Sequence, residues 1–247
     1  MDRFVIRGGA PLEGVIQVSG SKNAGLPLPI AAAILGTTDS RITNVPQLQD
    51  MHTMARLLRH LGTEVDFTDG ALHLGASDTL SVEAEYDLVR RMRASIYVLG
   101  PLLARFGEAR VSFPGGCAIG ARPVDIHLRG MEALGAEIQV EHGFIIAKAR
   151  KLRGTELSLL GPHGTSVGAT ANVMIAATLA EGITVIRDAA AEPEIGDRAG
   201  LLTAAGAPVE GAATGPITAR GVTALHGPQH TLPPPRLDTT TDIRPGP

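Results

Sequence analysis

Stretches of uniformly apolar residues alternate along the chain with shorter segments whose apolar positions recur at helix or strand spacing. Three of these stretches, residues 26–35, 96–104 and 172–180, are apolar on all sides. A helix without a polar face must be buried, and each stretch is shorter than the roughly 18 residues that a membrane span needs. The pattern therefore predicts three helices at the centre of the molecule.

The chain also repeats itself with a period of about 72 residues. The repeated segments are Leu61-Gly62-Thr63-Glu64-Val65, Leu134-Gly135-Ala136-Glu137-Ile138 and Ala205-Gly206-Ala207-Pro208-Val209, followed by turn glycines at 70, 143 and 215. Each copy reads as a strand, a loop, an apolar helix, a second strand, an amphipathic helix and a hairpin. The predicted unit is β-α-β-α-β-β.

The first copy contains the strands, the amphipathic helix and the hairpin of this unit. Residues 15–18 and 41–45 read as strands, and a helix follows Asp50, which can cap it. Gly62 can end that helix, and the Asp69-Gly70 pair suits a type I′ turn in the hairpin. Three such units around a pseudo-threefold axis predict an α/β fold. In it the helices are buried and the sheets lie outside, which is an inside-out α/β barrel.

Composition narrows the function classes. The formal net charge is −3, the chain has no Trp and aromatic residues are 3% of it, which disfavours a nucleic-acid binder. A single Cys, a start without secretory features and the lack of a long apolar run predict a soluble cytoplasmic protein without membrane contact. The eight His residues are scattered along the sequence, and no dinucleotide-binding or Walker motif is found. We therefore expect neither a metal ion nor another cofactor. Small-molecule chemistry is expected.

The loops that enter the three apolar helices carry the candidate binding residues. Lys22 and Asn23 lie in the first loop, Arg93 in the second, and Ser166 and Gly168 in the third. Symmetric repeats would bring these loops to one end of the domain, where free N–H groups of helix starts favour an anion. The alternative is that Ser166 and Asn23 are ordinary caps and that Lys22 and Arg93 are solvated.

The only cysteine, Cys117, lies in a glycine-rich loop over residues 114–125. Glycines on both sides leave the thiol accessible, and Arg122 can lower its pKa from roughly 8.5. Such a thiol can donate a proton or attack as a thiolate. The alternative is a cysteine without a role in a turn, because no His partner completes a nucleophile template.

Several motifs, in order along residues 1–225, resemble the UDP-N-acetylglucosamine 1-carboxyvinyltransferase family of enolpyruvyl transferases. They are Gly20-Ser21-Lys22-Asn23-Ala24, Met92-Arg93-Ala94-Ser95, Gly115-Gly116-Cys117, Gly120-Ala121-Arg122-Pro123-Val124-Asp125, Ser166-Val167-Gly168-Ala169-Thr170 and Glu192-Pro193-Glu194-Ile195. The resemblance implies transfer of the enolpyruvyl group of phosphoenolpyruvate to the 3′-hydroxyl of UDP-N-acetylglucosamine, with release of phosphate and without a metal. This is the first committed step of peptidoglycan synthesis.

The resemblance also implies roles for individual residues. Cys117 is the expected general acid and the residue that forms a covalent adduct with phosphoenolpyruvate or fosfomycin, Lys22 contacts phosphoenolpyruvate and Arg122 holds phosphate. Residues expected to contact the substrates are Lys22, Asn23, Arg93, Arg122, Pro123, Val124, Asp125, Ile126, Gly164, Thr165, Ser166, Val167 and Gly168. His163-Gly164 replaces a stretch where relatives often have a lysine, which implies a weaker hold on the nucleotide.

Family members have two similar domains with the active site between them. The resemblance therefore implies a three-repeat catalytic domain over residues 21–225. Residues 1–20 would be a strand segment of a largely absent second domain, and residues 226–247 its truncated, flexible start. Low activity without the second domain is expected.

Three alternatives remain open at this point. One is the related transferase that acts on shikimate 3-phosphate, which does not rely on a cysteine in this loop. Another is a non-catalytic remnant that binds the nucleotide sugar. The third is one half of a split enzyme that pairs with a complementing second-domain chain, or a chain that self-associates.

Overall fold

The structure is a computed structural model that describes residues 17–90, 92–113 and 124–235, together with Arg3, Val5, Gly8, Gly9, Gly14 and Val15. In chain order the elements are α1 (Lys22–Gly25), α2 (Pro27–Leu35), β1 (Ser40–Thr43), α3 (Gln49–Leu61), β2 (Val65–Thr68), β3 (Ala71–Leu74), β4 (Glu83–Ala84), α4 (Tyr86–Val89), a 3-10 helix (Arg93–Val98), α5 (Leu99–Phe106), β5 (Glu108–Ser112), α6 (Asp125–Ala133), β6 (Glu137–Glu141), β7 (Phe144–Lys148), β8 (Glu156–Ser158), α7 (Val167–Ala177), β9 (Ile183–Arg187), α8 (Pro193–Ala204), β10 (Val209–Glu210), β11 (Ile217–Arg220) and β12 (Gln229–Thr231).

The three apolar helices form the centre, as their sequence predicts. All nine residues of α2 are buried, and so is α7 from Ala169 onward. Helices α2, α5 and α7 contact one another, while α3 packs on α2 and both α6 and α8 pack on α7. The sheets lie outside this layer and contact it through β3, β5 and β11. The inside-out α/β arrangement is confirmed, because helices without a polar face are stable only when other elements surround them.

Each sheet has four strands in the same spatial order. The orders are β12-β1-β3-β2, β4-β5-β7-β6 and β8-β9-β11-β10, with a parallel edge strand, a central strand and an antiparallel hairpin. In the second and third sheets the edge strand precedes its unit along the chain. In the first sheet it is β12, which comes after the third unit and pairs with β1 in the register Arg41 with Gln229.

The prediction of a strand over residues 15–18 is therefore wrong. The described residues there, Val15, Gln17 and Val18, lie in no strand, and Val15 is 99% exposed. The β-branched residues Val15, Ile16 and Val18 favour a strand, but a strand also needs a free edge to pair with, and β12 already holds the edge of β1. Edge strands β4, β8 and β12 begin at residues 83, 156 and 229, equal steps of 73 residues that continue the repeat beyond residue 225.

The segment after β12 is fastened to the same unit. Leu232 is buried, its N–H donates to the Thr43 carbonyl at 3.0 Å, and its own carbonyl accepts from Asn44 Nδ2 at 2.8 Å. The Ser21 N–H donates to the Pro233 carbonyl at 2.8 Å. The predicted boundary after residue 225 must therefore move, because residues 229–233 complete the first sheet; residues 236–247 lie outside the described part of the chain.

The predicted helix end and hairpin turn of the first unit are confirmed, whereas the predicted start of α3 is not. Gly62 ends α3 with φ 106°, and Asp69 and Gly70 adopt the positive φ values, 51° and 71°, that a type I′ turn requires. The predicted cap by Asp50 is wrong, since α3 begins at Gln49 and has no side-chain cap. Asp50 lies in the first turn of α3, where it pairs instead with a cation of the neighbouring loop.

Candidate functional site

The loops that enter the central helices meet at one end of the molecule. Arg198 of α8 donates from Nη2 to the carbonyl of Asn23 in α1 at 2.7 Å, which joins the third unit to the first. Tyr97 of the 3-10 helix lies beside the start of α7, since a Cβ added to Gly168 would be 3.6 Å from its hydroxyl. The structure thus links the first loop to α8 of the third unit and places the second loop beside the third.

The first loop presents Lys22 on a short helical turn. Ser21, rather than Asn23, caps α1, because its Oγ accepts from the Ala24 N–H at 3.4 Å. Lys22 is half-exposed, and its Nζ lies 2.5 Å from Asp50 Oδ2. The Asp50 carboxylate holds the Lys22 ammonium group at the surface, and an anionic ligand would have to compete with Asp50 for Lys22.

The second loop brings a cation close to a buried aromatic hydroxyl. Arg93 begins the 3-10 helix, and Tyr97 follows one turn later. Burial raises the pKa of Tyr97, and the positive charges of Arg198 and Arg93 oppose that rise. Tyr97 therefore stays protonated at neutral pH and can donate a hydrogen bond at this end of the molecule.

The third loop leads into α7 with a side-chain cap. Ser166 Oγ accepts from the Ala169 N–H at 3.2 Å, so the interpretation as an ordinary cap is correct for this residue. Thr165 is exposed, and Val167 and Gly168 form the first turn. Gly164 has φ 96° and open space at its Cβ position, in a turn closed by hydrogen bonds with Gly161. A lysine there would be strained by the positive φ.

The segment before α6 lies against this third loop. Val124 is buried, Asp125 is exposed in the first turn of α6, and Ile126 is partly buried. A Cβ at Gly161 would lie 2.5 Å from Ile126 Cδ1, so residues 124–126 adjoin the 161–164 turn. Cys117, Arg122 and Pro123 lie outside the described residues, and their roles stay predictions.

A buried polar network supports the three loops from below. Asn172 of α7 accepts from the Gly100 N–H at 3.0 Å, and its Nδ2 donates to the Ile96 carbonyl at 3.0 Å. His127 Nδ1 lies 3.2 Å from the same Nδ2. A Cβ at Gly168 would be 3.0 Å from His127 Nε2. One amide thus ties the 3-10 helix, α5, α6 and α7 together beneath the site.

Sequence reasoning missed Asp50, Tyr97, His127, Asn172 and Arg198. A signal exists for three of them, because His127, Asn172 and Arg198 are polar residues at positions whose helical neighbours are apolar.

Within the described residues, no group of three or more His, Cys, Asp or Glu side chains is placed to hold a metal ion. In the same part of the chain, no helix combines the length and apolarity that a membrane crossing requires.

His127 gives folding stability a defined pH dependence. Burial, and secondarily the charge of Arg93, lower its pKa from 6.5 to about 4. Between about pH 4 and pH 6.5 the folded protein therefore binds fewer protons than the unfolded chain. The contribution of His127 to the free energy of unfolding is fully present above about pH 6.5 and is lost as the pH falls toward 4. We expect the free energy of unfolding to drop by about 2 kcal/mol between pH 7 and pH 5 through this residue.

Urea titrations of the wild type and of a His127→Gln variant measure this contribution. The variant should show a shallower loss of stability between pH 7 and pH 5. His226→Gln is the control, because His226 is exposed and should leave the slope unchanged. Equal slopes for the wild type and His127→Gln would contradict the assignment.

Known proteins are similar to this chain over most of its length. The EPSP synthase (3-phosphoshikimate 1-carboxyvinyltransferase) family model matches residues 6–242. UDP-N-acetylglucosamine 1-carboxyvinyltransferase 2 of Carboxydothermus hydrogenoformans is 51% identical over 241 residues, which are 98% of this chain and 57% of that protein. A UDP-N-acetylglucosamine 1-carboxyvinyltransferase of Nitratidesulfovibrio vulgaris is 50% identical over the same lengths. The chain thus spans little more than half the length of these relatives.

Solved structures show the same fold. The enolpyruvyl transferase NikO from Streptomyces tendae has a TM-score of 0.80 and 25% identity, covering 96% of this chain and 55% of that one. EPSP synthase from Acinetobacter baumannii has a TM-score of 0.71 and 18% identity, covering 90% and 50%. The resemblance seen in the motifs is confirmed, and the chain belongs to the EPSP synthase family.

Proposed function

We propose that the chain carries the substrate-binding end and the reactive cysteine of an enzyme that transfers the enolpyruvyl group of phosphoenolpyruvate to the 3′-hydroxyl of UDP-N-acetylglucosamine. The observation that carries this proposal is 50–51% identity over 241 residues to relatives named for that reaction. Lys22 at the start of α1 and Arg93 at the start of the 3-10 helix support it, since both substrates are anions. In the cytoplasm, the reaction would commit the sugar nucleotide to peptidoglycan synthesis, and with it to cell shape and division.

The chemistry exchanges one carbon–oxygen bond for another. The sugar hydroxyl oxygen bonds to C2 of phosphoenolpyruvate and loses its proton, while the thiol of Cys117 gives a proton to the methylene carbon. Phosphate then leaves C2 with its bridging oxygen, and a proton lost from the methyl carbon restores the double bond. No step oxidises or reduces carbon overall, so the proposed reaction uses no redox cofactor. An acid with a pKa near the working pH suits the first step.

The proposed contacts divide between the two substrates. Lys22 and Arg122 would bind phosphoenolpyruvate, with Lys22 exchanging Asp50 for the substrate anion. Asn23, Arg93 and residues 122–126 would hold the sugar nucleotide. Residues 164–168 would offer N–H groups of the α7 start to the diphosphate. The positive φ and missing side chain at Gly164 would leave that contact to the backbone.

The relatives are longer, and we propose that turnover needs a second domain. Residues 1–20 and those after residue 235 would then belong to it, and a complementing chain or a second copy could supply the missing face. The described chain by itself would bind its ligands weakly and release phosphate slowly, because only part of the groups that stabilise the transition state would be present.

Replacing Lys22 by Ala tests the proposal. We expect phosphoenolpyruvate to bind at least about tenfold more weakly, because a hydrogen bond to a charged group contributes about 1.5–3 kcal/mol. Isothermal titration calorimetry measures the affinity. Lys148→Ala is a matched control, since Lys148 is also exposed and paired with a carboxylate, 3.1 Å from Glu108, but lies on β7 of an outer sheet.

The same calorimetry separates the acceptors. Binding of UDP-N-acetylglucosamine in preference to shikimate 3-phosphate supports the proposal, and the reverse preference assigns the chain to the reaction named for its family model. Equal weakening by Lys22→Ala and Lys148→Ala would contradict the role of Lys22. A phosphate release assay with a second-domain chain added distinguishes a split enzyme, which gains turnover, from a binding remnant, which does not.

A further inference from the structure

Arg198 is a charged residue inside the apolar face of α8. It shares the buried side of that helix with Ile195, Leu201 and Leu202 and is only 1% exposed. Lysine and arginine are almost never fully buried unless a carboxylate pairs with them. The position is thus unusual for a residue whose role is packing alone.

The guanidinium group of Arg198 is incompletely satisfied. Its Nη2 donates to the Asn23 carbonyl at 2.7 Å, while Nε and Nη1 are buried without a hydrogen-bond partner among the described residues. The carboxylate of Asp197 does not contact it: Oδ1 is 2.8 Å from His230 Nε2 and Oδ2 is buried without a hydrogen-bond partner among the described residues, so Asp197, like Glu192 and Glu194, acts on Arg198 only through its charge. A buried cation that lacks a paired anion destabilises the folded state.

The charge of Arg198 acts on the site end of the molecule. Burial lowers the pKa of Arg198, and Tyr97 together with nearby carboxylates of α8 and the residues before it opposes this fall. An arginine nevertheless remains protonated at neutral pH. The same guanidinium acts on Tyr97 together with Arg93, so that two arginines contribute positive potential around one hydroxyl group.

We propose that Arg198 is a positioning residue for anion binding at this end of the domain. Through the Asn23 carbonyl it fixes the turn that carries Lys22, and its buried charge, which no carboxylate contacts directly, raises the affinity for an anion that it does not touch. Direct contact is excluded in the described arrangement, because Nε and Nη1 are shielded from solvent. The inference rests on the proposed function only in requiring an anionic ligand here.

This role predicts that stability and binding change in opposite directions. Arg198→Met keeps an unbranched side chain but removes the charge and the donors, and replacing an unpaired buried charge by an apolar group is neutral or stabilising. Anion affinity should fall, by about tenfold if one unit charge acts over about 10 Å at an effective dielectric constant of about 20. Arg198→Lys keeps the charge and one donor and should stay within about threefold of the wild type.

The experiment measures the dissociation constants of inorganic phosphate and phosphoenolpyruvate by NMR titration, and unfolding by urea. Arg220→Met is the control, since it removes the same charge from an exposed position on β11. The expected result is weaker binding of both anions by Arg198→Met, with unfolding unchanged or shifted to higher urea. The Lys variant and the control should bind like the wild type.

Two results would overturn the inference. One is unchanged anion affinity in Arg198→Met, whatever its stability. The other is an equal loss of affinity in Arg220→Met, which would indicate an effect of net charge. A wild-type protein that binds phosphate but not UDP-N-acetylglucosamine would contradict the proposed function while leaving the role of Arg198 supported, so the two failures are distinguishable.

Discussion

A chain shortened to residues 1–225 should unfold at a much lower urea concentration than the full chain, or fail to fold. The truncation removes β12 and leaves β1 with an unpaired edge. It also removes the buried side chain of Leu232, and loss of one such side chain costs about 2–5 kcal/mol. Because the free energy of unfolding of a domain is about 5–15 kcal/mol, the combined loss should take most of it.

The truncation should also disturb the candidate site. Leu232 packs on the loop that carries Lys22, since a Cβ at Gly20 would lie 2.6 Å from Leu232 Cβ and one at Gly25 3.1 Å from its Cδ1. A chain ending at residue 235 is the control, because it keeps β12 and every contact described for it. Circular dichroism during urea titration compares the two. Equal midpoints for chains ending at 225 and 235 would contradict the assignment of β12 to the first sheet.

Replacing Asn172 by Leu should lower the free energy of unfolding by about 1–3 kcal/mol. Leucine has the same number of side-chain heavy atoms, branched at the same position, so no cavity forms and the cost comes from lost hydrogen bonding and from its bulkier methyl groups. The Gly100 N–H would lose its partner in a buried environment, whereas the Ile96 carbonyl also accepts from the Leu99 N–H and would keep that bond. Loss of the contact with His127 would add to this.

Thr184→Val is the matched control for Asn172→Leu. The Thr184 hydroxyl is buried on β9 and has no partner among the described residues, so an isosteric valine should be neutral or stabilising. Urea unfolding at pH 7 measures both variants. If Asn172→Leu is as stable as Thr184→Val, the amide does not tie the central helices together.

Most of the fold could be predicted from local signals. The apolar stretches predicted α2, α5 and α7 because a helix with no polar face has only one stable environment. The Asp69-Gly70 turn followed from the backbone conformations that these residues accept. The edge strand of the first sheet could not be predicted in this way, since residues 15–18 have the β-branched composition of a strand and residues 229–231 are polar.

The candidate site divides in a similar manner. Lys22, Asn23, Arg93 and residues 166–168 were predicted as site residues because helix starts of repeated units are expected at one end, and their roles stay predictions. The partners of these residues could not be predicted. In the sequence Asp50 resembles a helix cap, but α3 begins at Gln49, one residue before it. Arg198 resembles an ordinary charged residue of an amphipathic helix. Arg198 contacts Asn23 across units, and Asp50 contacts Lys22 between two helices of the first unit. Spacing along the chain says nothing about either contact.

The sequence by itself determined the repeat, the buried helices and the outer hairpins. These depend on periodicity and on conformational preferences, which act over a few residues. Tertiary structure alone decided that residues 229–233 close the first sheet, that Asp50 holds Lys22 and that Arg198 supports Asn23. Closure of the three units around their axis brings together residues 188 and 175 positions apart in the first sheet and in the Arg198–Asn23 contact. The Lys22–Asp50 pair, 28 positions apart, depends on how α1 and α3 pack within the first unit. None of these contacts is set by local pattern.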